Sequence, residues 1–114
     1  MNILDNRIIA ILRDVDAENI VDVINALVGG GIISIEIPLN HSTPAAKAAS
    51  LRTIQKSHET FGDQIFLGAG TILSPEEAEA AANAGAKYII SPNMDLEVIK
   101  KTKSLGLASM PGAM

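Results

Sequence analysis

The first place where this chain could do chemistry is a glutamate set among apolar residues. Residues 32–39 read Ile-Ile-Ser-Ile-Glu-Ile-Pro-Leu, a β-branched run that favours a strand. With a two-residue period, Ile35, Ile37 and Leu39 share one face, while Ser34, Glu36, Pro38 and Asn40 share the other. If helices cover the apolar face, the polar face points into an interior with a carboxylate about halfway along it. An unpaired buried carboxylate is costly unless its pKa rises or a partner is supplied, which is the condition of a general acid/base. A glutamate that simply reaches water from near a strand end is the competing reading, and the residues alone leave both open.

Three further residues share an edge with that glutamate. Arg13 ends strand one, Thr71 ends strand three and Asn93 follows strand four. All are at the carboxyl ends of their strands, where parallel barrel enzymes place active sites. An arginine there can grip a carboxylate or phosphate with two parallel hydrogen bonds. Pairing with Asp14 or Asp16 is the alternative for Arg13. Gly68-Ala69-Gly70 marks a close backbone approach, either to a phosphate or to a packed neighbour. His41 and His58 have no second ligand at metal-binding spacing, so both are expected to be solvated rather than metal-bound.

The elements that position these groups alternate strand and helix. Strands are expected at Ile8–Leu12, Ile32–Leu39, Gln64–Gly68, Tyr88–Ser91 and Leu107–Met110. Between the first two, Ile20, Val23, Ile24, Leu27 and Val28 form one apolar helical stripe, with Asp16 as the expected N-cap and Gly29-Gly30-Gly31 as the end. Thr43 and Pro44 open a second helix that runs to about His58. Ser74-Pro75-Glu76-Glu77 reads as a capping box opening a third, whose Ala78, Ala81 and Ala82 let it lie close to a sheet. Asp95–Ser104 is the fourth, closed by Gly106. Strands alternating with helices imply a parallel α/β sheet with right-handed crossovers. The first βα turn, Arg13-Asp14-Val15-Asp16, has no glycine cradle and so disfavours a dinucleotide-binding sheet. A barrel and a flavodoxin-like open sheet, the latter a non-catalytic binding domain, both fit the element count.

Composition narrows the class. The chain has 114 residues, 47% of them hydrophobic, which suits one packed domain. Net charge is −4, and the basic residues are scattered singly, so no nucleic-acid surface is expected. No apolar run approaches the ~20 residues of a membrane helix, and no signal-peptide core is visible in residues 1–7. With no cysteine, thiolate chemistry and disulfides are excluded, and a cytoplasmic location is expected.

Five short strings then fall in one order and spacing: Ile9-Ala10-Ile11-Leu12-Arg13, Glu36-Ile37-Pro38-Leu39-Asn40, Gly68-Ala69-Gly70-Thr71, Ile90-Ser91-Pro92-Asn93 and Met110-Pro111-Gly112. Together they resemble the 2-keto-3-deoxy-6-phosphogluconate and 2-keto-3-deoxy-6-phosphogalactonate aldolases. The resemblance implies a (β/α)8 TIM barrel, of which residues 1–114 are the N-terminal part: four βα units plus strand five. It implies a cytoplasmic homo-oligomer, a trimer, with no metal or cofactor. It further implies Schiff-base cleavage of a phosphorylated 2-keto-3-deoxy sugar acid to pyruvate and glyceraldehyde 3-phosphate. By the same resemblance Glu36 is the general acid/base, and Arg13 and Thr71 contact the pyruvyl carboxylate. Asn40 and Asn93 are further substrate contacts at the pocket rim. Many phosphogluconate enzymes carry an arginine four residues after the glutamate; Asn40 stands there instead, which leans toward the phosphogalactonate type.

One departure qualifies this. The family's nucleophilic lysine ends strand six in a Lys-x-Phe-Pro setting, and these residues stop in strand five. A Schiff-base lysine needs a pKa lowered by burial or neighbours. Lys87 is at the wrong end of its strand, Lys56, Lys100, Lys101 and Lys103 lie on helices with a solvated look, and Lys47 is expected to face solvent. None is expected to form the imine, so the 114 residues alone are expected to be inactive, with two open sheet edges. A non-catalytic half-barrel that completes itself by oligomerising is the alternative of another class.

Overall fold

Buried strands alternating with one-sided helices can cover all their apolar surface if the helices line up on one face of the sheet. The computed structural model, which describes residues 7–113, is built that way. The elements are β1 (Ile9–Ile11), α1 (Ile20–Gly29), β2 (Ser34–Pro38), α2 (Pro44–Phe61), β3 (Phe66–Gly70), α3 (Pro75–Ala84), β4 (Tyr88–Ser91), α4 (Leu96–Ser104) and β5 (Ala108–Pro111). All neighbouring strands are parallel, in the order β1-β2-β3-β4-β5. A flavodoxin-like sheet would place its second strand outside the first. Sequential order is the order of a barrel wall.

The two faces of the sheet are distinct. Ile35, Ile37, Leu39, Leu67, Ala69 and Ile89 join Ile20 and Ile24 of α1, Ile54 and Phe61 of α2, Ala78, Ala81 and Ala84 of α3 and Val98 of α4 in one buried cluster. All four helices therefore cover the same face. Strand register places Ser34, Glu36, Phe66, Gly68, Gly70 and Tyr88 on the other. There Phe66 and Tyr88 rings stack with centroids 4.9 Å apart. Ile11, on the same face of the β1 edge, remains 57% exposed.

Local signals explain most boundaries. Thr43 Oγ1 accepts the Ala46 N–H at 3.0 Å and Ser74 Oγ accepts the Glu77 N–H at 3.2 Å, so two helix starts are capped as expected. Asp95, expected inside the fourth helix, is instead its N-cap, its Oδ1 accepting from Glu97 and Val98. Gly31, Gly85 and Gly106 all adopt positive φ just before a strand, at +92°, +116° and +76°. A residue with a β carbon is disfavoured in that conformation.

Several boundaries differ. Asp16 does not cap α1: its Oδ1 accepts from the Asn19 backbone and side chain, closing a turn one step earlier, and Asn19 is the N-cap. Gly30 ends α1 at φ −89°, not left-handed; the reversal falls on Gly31. α2 continues past His58 to Phe61, because the Phe61 ring belongs to the buried cluster. β3 starts at Phe66, not Gln64: Gly62 at φ +53° begins a 3₁₀ turn through Gln64, and the Phe66 N–H bonds to Ile33 O at 2.8 Å. That register turns Leu67 and Ala69 toward the helices, and it places Gly68 and Gly70 inside the strand. In α3, Ala84 rather than Ala82 is buried with Ala78 and Ala81. Glu77 does not complete a capping box, since its Oε1 accepts from Leu73 N, one residue short of the cap itself.

Gly68 shows what the register demands. The Tyr88 ring crosses β3 at this position, and its hydroxyl donates to Ile35 O on β2 at 2.6 Å. A β carbon on Gly68 would fall within the ring. Gly68→Ala is therefore expected to destabilise the fold by about 1–3 kcal/mol, the range for overpacked cores. Urea denaturation checks this, and an unchanged midpoint would contradict the ring's placement.

Candidate active site

Glu36 is 4% exposed on the face opposite the helices. Its Oε2 is buried without a hydrogen-bond partner among the described residues, as is Ser34 Oγ two residues earlier on the same face. The side chain lies over Gly70, where a β carbon would collide with the carboxylate. Burial pushes the Glu36 carboxyl above its ordinary range, and the Arg13 guanidinium partly opposes that rise. A carboxyl poised toward neutrality yet within reach of a fixed cation can both give and take a proton.

Tyr88 forms the floor beside it, a residue that composition and spacing did not single out. It is fully buried, and desolvation followed by the Glu36 charge pushes its phenol far above the ordinary value. It therefore acts as a neutral donor. Its pairing with Gly68 depends on strand register, and nothing local in the sequence carries that signal.

Above Glu36, at the carboxyl edge, Arg13, Asp14, Pro38, Leu39, Asn40, His41 and Thr71 line a cleft of about 260 Å³. The cleft brings together three sequence-predicted residues, Arg13, Asn40 and Thr71; Glu36 does not line it, and its carboxylate lies against Gly70, the residue before Thr71. Arg13 is exposed and has no carboxylate partner among the described residues, so the expected alternative of pairing with Asp14 or Asp16 does not occur. Among the described residues its two-pronged donor set is uncommitted, the arrangement that suits an anion. Asn40 serves the loop: its Nδ2 donates to Asp14 Oδ1 at 3.3 Å and its Oδ1 accepts from Ser42 N at 2.9 Å. Asn93 is exposed beyond β4 and does not line this cleft. Thr71 adopts φ +53°, a strained value for a β-branched residue.

Two residues expected to be solvated are engaged. His41 Nε2 lies 2.7 Å from Thr71 O, and Lys47 Nζ donates to Glu77 Oε2 at 3.1 Å. His58 packs against Gly85, whose left-handed turn leaves room for the imidazole. Among the described residues, no three His, Asp or Glu side chains gather as a metal site. No described helix is long and apolar enough to cross a membrane.

This arrangement, an acid in a barrel wall beneath an arginine-lined cleft, can be set against known proteins. Residues 2–114 match the KDPG and KHG aldolase family. The chain belongs to that family. The 2-dehydro-3-deoxy-6-phosphogalactonate aldolase of Escherichia coli strain K12 is 33% identical over 105 residues, covering 92% of this chain and 48% of the relative. A solved native KDPGal structure superposes with TM-score 0.77 at 32% identity, covering 90% of this chain and 47% of that one. KDPG aldolase from Legionella pneumophila, solved with pyruvate captured as a covalent carbinolamine intermediate, superposes with TM-score 0.77 at 27% identity over 90% and 47% of the two chains. The chain thus spans about half the length of the relatives it matches, and its five sequential strands correspond to part of the aldolase barrel.

The raised Glu36 carboxyl has a consequence for stability. Its folded state favours the protonated form, so its contribution is intact below the ordinary value of 4.5 and is lost as pH rises through the raised value. Relative to wild type, Glu36→Gln is expected to gain about 1–3 kcal/mol at pH 8, the scale of an unsatisfied buried group, with the gain vanishing by pH 4. Urea denaturation at the two pH values measures this. An equal difference at both would place the carboxylate in water.

Proposed function

We propose that this chain is the N-terminal part of a single barrel domain of a class I aldolase. It would cleave 2-dehydro-3-deoxy-6-phosphogalactonate to pyruvate and glyceraldehyde 3-phosphate. The observation that carries this reading is the nearly buried Glu36 carboxyl, raised by desolvation, beside a cleft whose Arg13 has no carboxylate partner among the described residues. In this reading the amine of a lysine outside strands β1–β5 condenses with the substrate's C2 carbonyl and water leaves. Glu36 takes the proton of the C4 hydroxyl as the C3–C4 bond breaks and glyceraldehyde 3-phosphate departs. It then returns a proton to C3 of the enamine, and hydrolysis of the imine releases pyruvate. Arg13 holds the pyruvyl carboxylate with two parallel N–H donors, and Thr71 adds a directed hydrogen bond.

The phosphogalactonate assignment is supported by Asn40 at the place of the second arginine and by the 33% identity to the E. coli enzyme of that name. Cleavage of 2-dehydro-3-deoxy-6-phosphogluconate or 4-hydroxy-2-oxoglutarate is the second reading, supported by the match to the KDPG and KHG aldolase family and, for the first substrate, by the likeness to the Legionella enzyme. The two sugar acids differ in one hydroxyl's configuration, which a few hydrogen bonds discriminate. With the resemblance come a cytoplasmic setting and a homotrimer. The lysines of this chain suit the imine poorly: Lys87 is exposed at the amino end of β4, and Lys47, half-buried rather than solvent-facing, is held by Glu77.

Borohydride reduction in the presence of pyruvate is expected to leave a stable adduct on the full-length protein and none on residues 1–114. In the full-length protein, Glu36→Gln is expected to lower kcat by about 10²–10⁴-fold, the usual share of general acid–base catalysis. Absence of an adduct on the full-length protein, or wild-type turnover in the variant, would overturn the reading.

A further inference from the structure

We propose that His41, oriented by Glu77, is a positioning residue that locks Thr71 in its left-handed conformation. It would thereby aim the Thr71 hydroxyl at the cleft. The proposal rests on the reading of Thr71 as a contact to the substrate carboxylate.

Thr71 at φ +53° stands where a β-branched residue is unfavourable by about 1–3 kcal/mol, so its surroundings must over-determine it. The hydrogen bonds of residues 70–73 show what does so. Gly70 O accepts from Leu39 N at 3.0 Å and Ile72 N donates to Ile90 O at 3.2 Å, both ordinary sheet continuations. Two further bonds come from side chains. His41 Nε2 sits 2.7 Å from Thr71 O, and Glu77 Oε1 accepts from Leu73 N at 2.8 Å. A carbonyl only accepts, so Nε2 carries the hydrogen.

The imidazole stands beside the Glu77 carboxylate. Its Nδ1 lies 3.6 Å from Glu77 Oε2, beyond a direct hydrogen bond, and that oxygen takes Lys47 Nζ at 3.1 Å. The His41 and Glu77 side chains are only 27% and 12% exposed, so this is no freely solvated pair. Glu77 in turn is fixed in the first turn of α3, one residue before the fully buried Ala78. One carboxylate thus ties the first turn of α2 to the loop after β3 and stands against His41 of the loop after β2. Two of these loops form walls of the cleft that Arg13 completes. A surface ion pair would leave the Thr71 backbone to itself, whereas here the imidazole bonds the strained peptide directly.

The test compares wild type, His41→Ala and His41→Gln, since a glutamine amide can place an N–H near the position of Nε2. In the 114-residue chain, a strong intraresidue amide–α-proton NOE at Thr71 reports the positive φ. It is expected in wild type and His41→Gln and lost in His41→Ala. In the full-length protein, His41→Ala is expected to raise the pyruvate inhibition constant and KM about tenfold, the scale of one well-made hydrogen bond, with kcat within about twofold and His41→Gln largely restored. An unchanged NOE together with unchanged pyruvate affinity in His41→Ala overturns the proposal. So does a joint loss of kcat and thermal midpoint that His41→Gln does not rescue, the mark of a merely structural residue. Should His41→Ala fail to fold, Glu77→Gln replaces it, and unaltered pyruvate affinity and Thr71 NOE there overturn the proposal equally. If wild type neither cleaves the sugar acid nor traps pyruvate, the aldolase reading fails, and the Thr71 NOE alone still decides whether His41 holds that backbone.

Discussion

A carboxyl group in the wall of a parallel sheet, with no partner at one oxygen among the described residues, is the constraint around which this part of a barrel is arranged. Glu36 occupies the middle of the central face, where neither helix nor solvent reaches it freely. Space for it is made by omission. Gly70 leaves out the β carbon that would strike the carboxylate, and Gly68 leaves out the one that would strike Tyr88. Two glycines inside a strand weaken it by lost side-chain packing and added chain entropy. The sheet tolerates them because Tyr88 bridges β3 and anchors on the β2 backbone, restoring contact across the gap.

The same arrangement sets the electrostatics. Desolvation drives the Glu36 carboxyl toward its neutral form, while Arg13 at the rim pulls in the opposite direction. Tyr88 remains neutral for the same reasons of burial and adjacent charge. A carboxyl raised above its ordinary range is thus held in a nearly dry wall, and the permanent cation of Arg13 stands at the edge. The division resembles other parallel barrels, in which the packed wall supplies rigidity and the loops at the carboxyl edge supply recognition.

The loops at that edge are tied more firmly than their exposure suggests. Asn40 spans to Asp14, His41 reaches Thr71, and Glu77 gathers Lys47 and Leu73. These bonds link three successive βα loops side by side, so the cleft is a joined rim and not three independent turns. Glu77 illustrates why composition could mislead. Its place three residues after Ser74 reads as a capping box, yet its carboxylate accepts from Leu73 N in the loop that leads into α3 and, across the gap between α2 and α3, from Lys47.

Hydrophobic period and helix punctuation, both local properties, were enough to specify the element order, the apolar face of β2 and the caps at Thr43 and Ser74. Motif order was enough for the family. Glu36, Arg13 and Thr71 were legible because each occupies a strand or a strand end whose face or edge follows from a two-residue period. Register was not legible, and so the start of β3, the burial of Gly68 and Gly70 inside it, and the role of Tyr88 emerged only in three dimensions. Likewise His41 and Lys47 read as solvated until the loops after β2 and β3 were brought side by side. The physical reason is common to all of these: periodicity tells a side chain which way to point, while the neighbour it meets there is chosen by strand pairing and helix packing across tens of residues.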